Sequence, residues 1–352
     1  MQLLAMYHST FGKYTDMRIT KLEEKMDKRI LGNGLEVSEI GLGCMGMSEF
    51  YGPTDDEESL KVLHKAVDLG CNFFDTADTY GNSHNEELIG RFLKHHRSDV
   101  KVATKCGIVR RPGEYERRID NSPAYIRRAC ENSLRHLGVE CIDLYYIHRL
   151  DSTTPIEVVM QTLAELVTEG KIAHIGLSEV NSTTLRKAHA VHPVAALQTE
   201  YSLWTRDVER EILPTCRELG VGFVPYSPLG RGFLTGRFHS DRDFSEGDAR
   251  STLPRFTEGN LKANRPLSNI VAQIAQNKSC SPAQIALAWL LAQGKDIVPI
   301  PGTKKMAHIV DNLGASNVSL TREDLLQIEL ALESFRPAGA RYTEEGMKGI
   351  NS

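Results

Sequence analysis

Cys71-Asn72-Phe73-Phe74-Asp75 is a short, mostly apolar run that stops on a carboxylate, and runs of this kind recur along the chain. They are Val37–Met45, Cys71–Asp75, Val100–Lys105, Ile142–His148, Ile172–Ser178, Ala195–Glu200, Val221–Ser227 and Ile297–Thr303. Strands buried on both faces read as continuous apolar runs of this length. Between them lie helical patterns over Glu57–Leu69, Pro123–Leu137, Ile156–Glu169 and Ser281–Leu291. Eight alternating strand and helix units predict an α/β fold, a (β/α)8 TIM barrel, whose reactive groups sit at the carboxyl ends of the strands. Asp75, Lys105, His148, Ser178, Gln198, Tyr226 and Thr303, at or near the ends of their runs, then share one mouth.

Working outward, the barrel is expected over residues 29–333, with an N-terminal extension over 1–28 and a tail over 334–352. Gly32-Asn33-Gly34 between apolar segments predicts a hairpin capping the barrel floor. Lys21–Arg29 lacks an apolar stripe and reads as a solvated arm. Cys106–Ser122 and Gly230–Pro266 read as long loops on the catalytic face, either functional or variable insertions. The tail either completes the substrate pocket or stays loose.

Of 352 residues, 41% are hydrophobic and 25% charged, the balance of a soluble globular chain. A formal net charge of −4 and the lack of a long basic patch argue against nucleic acid and leave small molecules as partners. No run approaches the roughly 20 apolar residues that span a bilayer, and Met1–Met6 lacks a signal-peptide pattern. Seven scattered cysteines without a CxxC pair fit a reducing compartment, and the expected location is cytoplasmic.

The chemistry concentrates in Phe73-Phe74-Asp75-Thr76-Ala77-Asp78-Thr79-Tyr80-Gly81. A phenol with a pKa of about 10 donates protons poorly at neutral pH, and a nearby ammonium lowers that value. Lys105 is the candidate ammonium, Asp75 its ion-pair partner, and His148 the group that hydrogen-bonds a substrate oxygen or relays the proton. Singly, each has a duller reading as helix cap, surface phenol or solvated charge. Four complementary types on three successive strands read as a tyrosine-centred acid. Gly41-Leu42-Gly43 lacks the third glycine and distal acid of a dinucleotide fingerprint, and His95-His96 point apart on a helix, so neither a Rossmann unit nor a metal site is read.

From about Arg29 to Leu330 the chain resembles the aldo-keto reductase superfamily. The resemblance rests on Gly41–Met47, Phe74–Gly81, Tyr145-Tyr146-Ile147-His148, Gly176-Leu177-Ser178, Gln198-Thr199-Glu200-Tyr201-Ser202 and Tyr226-Ser227-Pro228-Leu229-Gly230. His148-Arg149, Tyr201–Trp204 and Ile300–Lys304 look closest to the branch of perakine-type and pyridoxal reductases. The resemblance implies Tyr80 as general acid, with Lys105 lowering its pKa, Asp75 orienting and His148 positioning the carbonyl. Ser178 and Gln198 would bind the nicotinamide carboxamide and Tyr226 would stack on its ring, with Gly43, Cys44 and Met45 among the cofactor contacts.

The loops after strands seven and eight form the recurrent phosphate site of this barrel. Ser227, Pro228, Leu229, Gly230 and Gly232 supply a loop whose glycines let amides approach a pyrophosphate. Gly302, Thr303, Lys304 and Lys305 suit a ribose 2′-phosphate and point to NADP(H); the bland alternative is a solvated basic pair. By resemblance His308, Asp311 and Asn312 join the adenosine contacts, with Asn312 at the adenine edge and His308 standing where relatives often carry arginine. The expected function is NADPH-dependent reduction of an aldehyde or ketone. The alternative is a nicotinamide-binding regulatory subunit resembling potassium-channel β subunits, motivated by Met1–Lys28. Phe50, Tyr51 and Trp204 are read either as an apolar substrate pocket or as packing, and substrate and oligomeric state stay open.

Overall fold

The computed structural model describes residues 26–110, 116–238, 240 and 243–351. Seven parallel strands follow one another around a single sheet: Leu42–Gly43, Phe73–Asp75, Lys101–Cys106, Ile142–Ile147, Ile172–Ser178, Val194–Glu200 and Gly222–Tyr226. The eighth position, 297–302, closes the ring by isolated parallel bridges, Phe223 with Ile297 on one side and Gly43 with Gly302 on the other. Pro299 and Pro301 explain why it forms no regular ladder. Val298 and Ile300 donate to Phe223 and Pro225, and the carbonyls of Pro299 and Pro301 accept from Gly41 and Gly43. The two prolines lack the amides that would answer toward the first strand. The fold is therefore a (β/α)8 barrel.

Period-two alternation sorts each strand between two cores. Phe73, Ala103, Leu144, Tyr146, Ala196, Val224, Val298 and Ile300 fill the barrel, while Phe74, Val102, Tyr145, Leu177, Leu197 and Phe223 join the layer beneath the helices. Gly176 is where the barrel needs a glycine: a Cβ there would lie 2.3 Å from the Tyr146 ring. The antiparallel hairpin Lys28–Leu31 with Leu35–Ser38 turns through Gly32 and Gly34, both at positive φ. Its Leu31, Leu35 and Val37 plug the amino end of the barrel. Val37 thus belongs to the hairpin, and the first barrel strand is only Leu42–Gly43, followed by the 3-10 turn Met45–Met47.

The outer helices start and stop at local signals. In Pro123–Leu137 the Ser122 hydroxyl accepts the Tyr125 amide, proline occupies the first turn, and Gly138 ends the helix at φ 65°. Ser281 and Gln284 form a capping box on Pro282–Ala292. Two segments read as loops are structured. Cys106–Ser122 contains the antiparallel pair Ile108–Arg110 with Arg117–Ile119, and 111–115 lie outside the described residues. Gly230–Pro266 holds the 3-10 turns Gly230–Thr235, Ala249–Thr252 and Pro254–Phe256, then enters the helix Glu258–Asn277 with Pro266 inside it. Buried Leu261, Leu267, Val271 and Ile274 recur along that helix, and their packing outweighs the helix-breaking proline. The N-terminal extension lies outside the described residues up to 25. Among the described residues no helix is long and apolar enough to cross a membrane.

Candidate active site

Because Phe73 and Ala103 point into the barrel, Asp75 and Lys105, two residues on, do the same at the carboxyl end. Lys105 is fully buried and its ammonium donates to Asp75 Oδ1 and to the Thr76 carbonyl at 2.7 Å. The second Asp75 oxygen accepts Gln198 Nε2 at 2.7 Å. Tyr80 rides the turn after the second strand, with its hydroxyl 3.5 Å from Lys105 Nζ. The His148 ring stands edge-on to the Tyr80 ring, 5.8 Å between centroids. All four residues from three strands meet at one mouth.

The electrostatics differ from the sequence expectation in one respect. Burial pushes the Tyr80 phenol well above its ordinary range, the Asp75 carboxylate adds to that rise, and Arg149 opposes it. Lys105 was expected to lower Tyr80, but its charge lies against Asp75, so the phenol meets a nearly neutral pair. Burial also lowers the Lys105 ammonium, with Asp75 holding it up. The phenol therefore keeps its proton at neutral pH.

The remaining expected residues lie on the other strands and on the loops that follow them. Ser178 is buried and its hydroxyl accepts Arg149 Nη1 at 3.1 Å, a guanidinium that also donates to the His148 carbonyl. Tyr226 closes the seventh strand and donates to Glu179 Oε1 at 2.7 Å, with the Tyr342 hydroxyl 2.9 Å away. Gly43 and Cys44 abut the second strand, where the Cys44 amide donates to the Asp75 carbonyl, and Met45 opens the next turn. Ser227 and Gly230 have positive φ, and Gly230 N–H returns to the Ser227 carbonyl, so Ser227-Pro228-Leu229-Gly230 makes a tight turn into Gly232.

At the eighth strand Gly302 passes Gly43 closely enough that a Cβ would meet its carbonyl at 3.1 Å. Thr303 is buried and its hydroxyl accepts the Lys305 amide. Lys304 donates to the carbonyls of Tyr51, Gly52 and Pro53, which pins the loop after the first strand. Lys305 and His308 are exposed, and His308 is held below its usual range by partial burial, then by Lys305 and Arg237. Asp311 accepts the Ser281 hydroxyl at 2.8 Å, and Asn312 is buried. Trp204 is packing: it is 2% exposed and stacks on Phe233 at 4.1 Å.

Sequence reading missed a charged network beneath the tail. Glu179, in a left-handed conformation at φ 54°, accepts Arg341, Tyr226 and the Glu200 amide. Glu200 accepts Arg231, whose guanidinium lies 4.5 Å over the Tyr342 ring. The last residues tie on through the Asn351 amide to the Glu179 carbonyl. The tail is thus docked over the mouth. The available signal was position, since Glu179 directly follows the fifth strand run and Glu200 ends the sixth.

Residues 39–333 match the model of the Aldo/keto reductase family. The chain belongs to that family. It is 46% identical over 311 residues to the Glycine max protein named "Probable aldo-keto reductase 1", covering 88% of this chain and 89% of that one. Among solved structures it resembles a glycerol dehydrogenase from Gluconobacter oxydans, with 31% identity, a TM-score of 0.81, and 89% of this chain and 97% of that chain covered. It also resembles the holo form of an aldo-keto reductase from Bacillus halodurans, with 27% identity, a TM-score of 0.71, and 93% and 100% covered. Membership of this family supports an oxidoreductase that reduces carbonyl groups.

Proposed function

We propose that the protein reduces an aldehyde or ketone to an alcohol with NADPH, Tyr80 donating the proton. The observation that carries this is the Tyr80 hydroxyl 3.5 Å from a fully buried lysine that is itself held by Asp75 and Thr76. The donor set fits a phosphorylated nicotinamide dinucleotide. Lys305 and Arg237, from the loops after the eighth and seventh strands, both act on His308, and cations brought together in this way gain from an anionic ligand. Ser178 and Gln198 pair on adjacent strands and offer a hydroxyl and an amide, and Tyr226 ends the next strand, two residues beyond the Val224 that pairs with Gln198.

When bound, the nicotinamide supplies hydride to the carbonyl carbon. Tyr80 holds its proton toward the carbonyl oxygen and releases it as negative charge develops there, while His148 positions that oxygen. Lys105 faces the phenolate oxygen left behind, and Asp75 fixes the ammonium in place. Lys305, Arg237 and His308 would hold the 2′-phosphate, and the turn through Ser227, Leu229 and Gly230 the pyrophosphate. The exposed loops over this mouth set the substrate, and the motifs shared with perakine-type and pyridoxal reductases make pyridoxal a first candidate. The seven cysteines are all free thiols, which supports a cytoplasmic location. Nothing among the described residues favours a regulatory subunit instead.

Fluorescence titration with NADPH and NADH, beside an absorbance assay on aldehydes that include pyridoxal and benzaldehyde, tests the proposal. Tight NADPH binding with aldehyde-dependent NADPH consumption is expected. Absence of binding overturns the cofactor assignment, and binding without turnover across the panel moves weight to a regulatory role.

A further inference from the structure

We infer that Arg110 and Glu49 form a clasp that positions Tyr80 for proton donation. The inference rests on the reading of Tyr80 as the acid. Arg110 ends the first arm of the hairpin after the third strand, and Glu49 lies in the loop after the first strand. The Tyr80 turn follows the second strand and lies between them. One guanidinium nitrogen, Arg110 Nη2, donates both to Glu49 Oε2 at 2.5 Å and to the Thr79 carbonyl at 2.8 Å. That carbonyl belongs to the peptide linking Thr79 to Tyr80, so its orientation sets the direction in which Tyr80 leaves the backbone. On the other side of Tyr80, the Gly81 amide helps to keep the Glu49 carboxylate charged against its burial.

The clasp is built at some cost. The two side chains are only 15% and 17% exposed, and desolvating such a pair offsets much of its attraction, so stability alone gives little reason for charges here. Phe50, next to Glu49, sits at φ 70°, a backbone region that a bulky residue rarely adopts, and the Arg110 guanidinium lies 5.5 Å from its ring. Strain of this kind persists only where neighbours hold it, and it concentrates where a site needs fixed geometry. The Phe50 carbonyl is fixed in turn by the Ala249 amide at 2.9 Å. Arg110 and Glu49 are positioning residues, since the side chain they direct is Tyr80.

Their removal moves the acid without removing it. The charged and titratable groups acting on Tyr80 are Asp75, Lys105, His148, Arg149, Tyr342 and Glu49. Of these, Glu49 is the one the clasp controls, and its negative charge makes the phenol harder to ionise. Losing that charge brings Tyr80 ionisation to lower pH. Losing Arg110 leaves Glu49 unneutralised at alkaline pH and moves Tyr80 ionisation the opposite way.

The test uses the full chain with NADPH and either pyridoxal or benzaldehyde, comparing wild type with Arg110→Met, Arg110→Lys, Glu49→Gln and Tyr80→Phe. Arg110→Met is expected to lower kcat by about tenfold or more, as a displaced catalytic group does, with KM and NADPH affinity changed far less. Arg110→Lys is expected to restore part of the loss. The alkaline limb of the pH profile is expected to move down in Glu49→Gln and up in Arg110→Met. Wild-type kcat in a folded Arg110→Met, or an unmoved alkaline limb in Glu49→Gln, overturns the clasp. If Arg110→Met does not fold, Glu49→Gln, which keeps shape and a hydrogen bond, decides the matter alone. Turnover retained in Tyr80→Phe instead removes the acid assignment itself, and the clasp's role with it.

Discussion

Lys105 Nζ reaches the Tyr80 hydroxyl only through a long hydrogen bond of 3.5 Å, while its shorter ones go to Asp75 and the Thr76 carbonyl. The ion pair, fully inside the barrel, is the rigid base on which the phenol rests. Replacing Lys105 by methionine removes one side of a buried pair and leaves Asp75 with Gln198 as its remaining side-chain partner. Such a break costs about 3–5 kcal/mol. Asp75, already raised by burial, then rises further above its unfolded value. A carboxylate raised in the fold loses stability as pH climbs through its folded pKa, so the deficit of Lys105→Met is expected to shrink as pH falls. Chemical unfolding at pH 5 and pH 8 measures this. A deficit independent of pH contradicts the pair's account.

Cofactor choice rests on the basic group beside the eighth strand. Lys305→Ala is expected to weaken NADPH by about tenfold, roughly 1.4 kcal/mol, and to leave NADH nearly unchanged. Fluorescence titration with both nucleotides checks it. Equal weakening of both places Lys305 away from the 2′-phosphate.

A histidine contact on the outer layer gives a second pH dependence. His64 Nδ1 and His96 Nε2 share a hydrogen bond of 2.8 Å, which needs at least one neutral ring. Burial, then His96 and His95, hold His64 below its ordinary value. Because the unfolded chain takes up this proton more readily, stability falls as pH drops through about 6.5. Wild type is expected to lose more Tm between pH 7.5 and 5.5 than His64→Gln does. Identical losses in the two remove the pair as a cause.

Gly176 tests how tightly the barrel is filled. An alanine Cβ there meets the Tyr146 ring at 2.3 Å, and both lie in the packed interior just below Ser178. Overpacking of this kind costs about 1–3 kcal/mol. Gly176→Ala is expected to lower stability by that amount and also to impair nicotinamide binding through Ser178. Unchanged stability means the interior yields more easily than the geometry implies.

Much of this was legible in the sequence because strand parity is simple. Asp75, Lys105, Ser178, Gln198 and Tyr226 each sit an even number of residues from an inward-facing position, and the apolar runs that carry them are continuous. The eighth strand was read from its run, although Pro299 and Pro301 reduce it to bridges. The hairpin Ile108–Arg110 with Arg117–Ile119 was hidden by its charge, and the helix Glu258–Asn277 by Pro266. The pairings of Glu179 with Arg341 and Glu200 with Arg231 were hidden because long-range charge partners leave no local pattern. The Tyr80 shift was misjudged for a related reason: a lysine nearby in sequence logic had already given its charge to Asp75.

The central claim is that Tyr80 supplies the proton. Steady-state turnover and NADPH titration of Tyr80→Phe, on an aldehyde that the wild type consumes, test it most directly. The phenol's ring and its packing against His148 stay while the hydroxyl goes, so turnover is expected to disappear with NADPH affinity nearly intact. Turnover within a few fold of wild type contradicts the account.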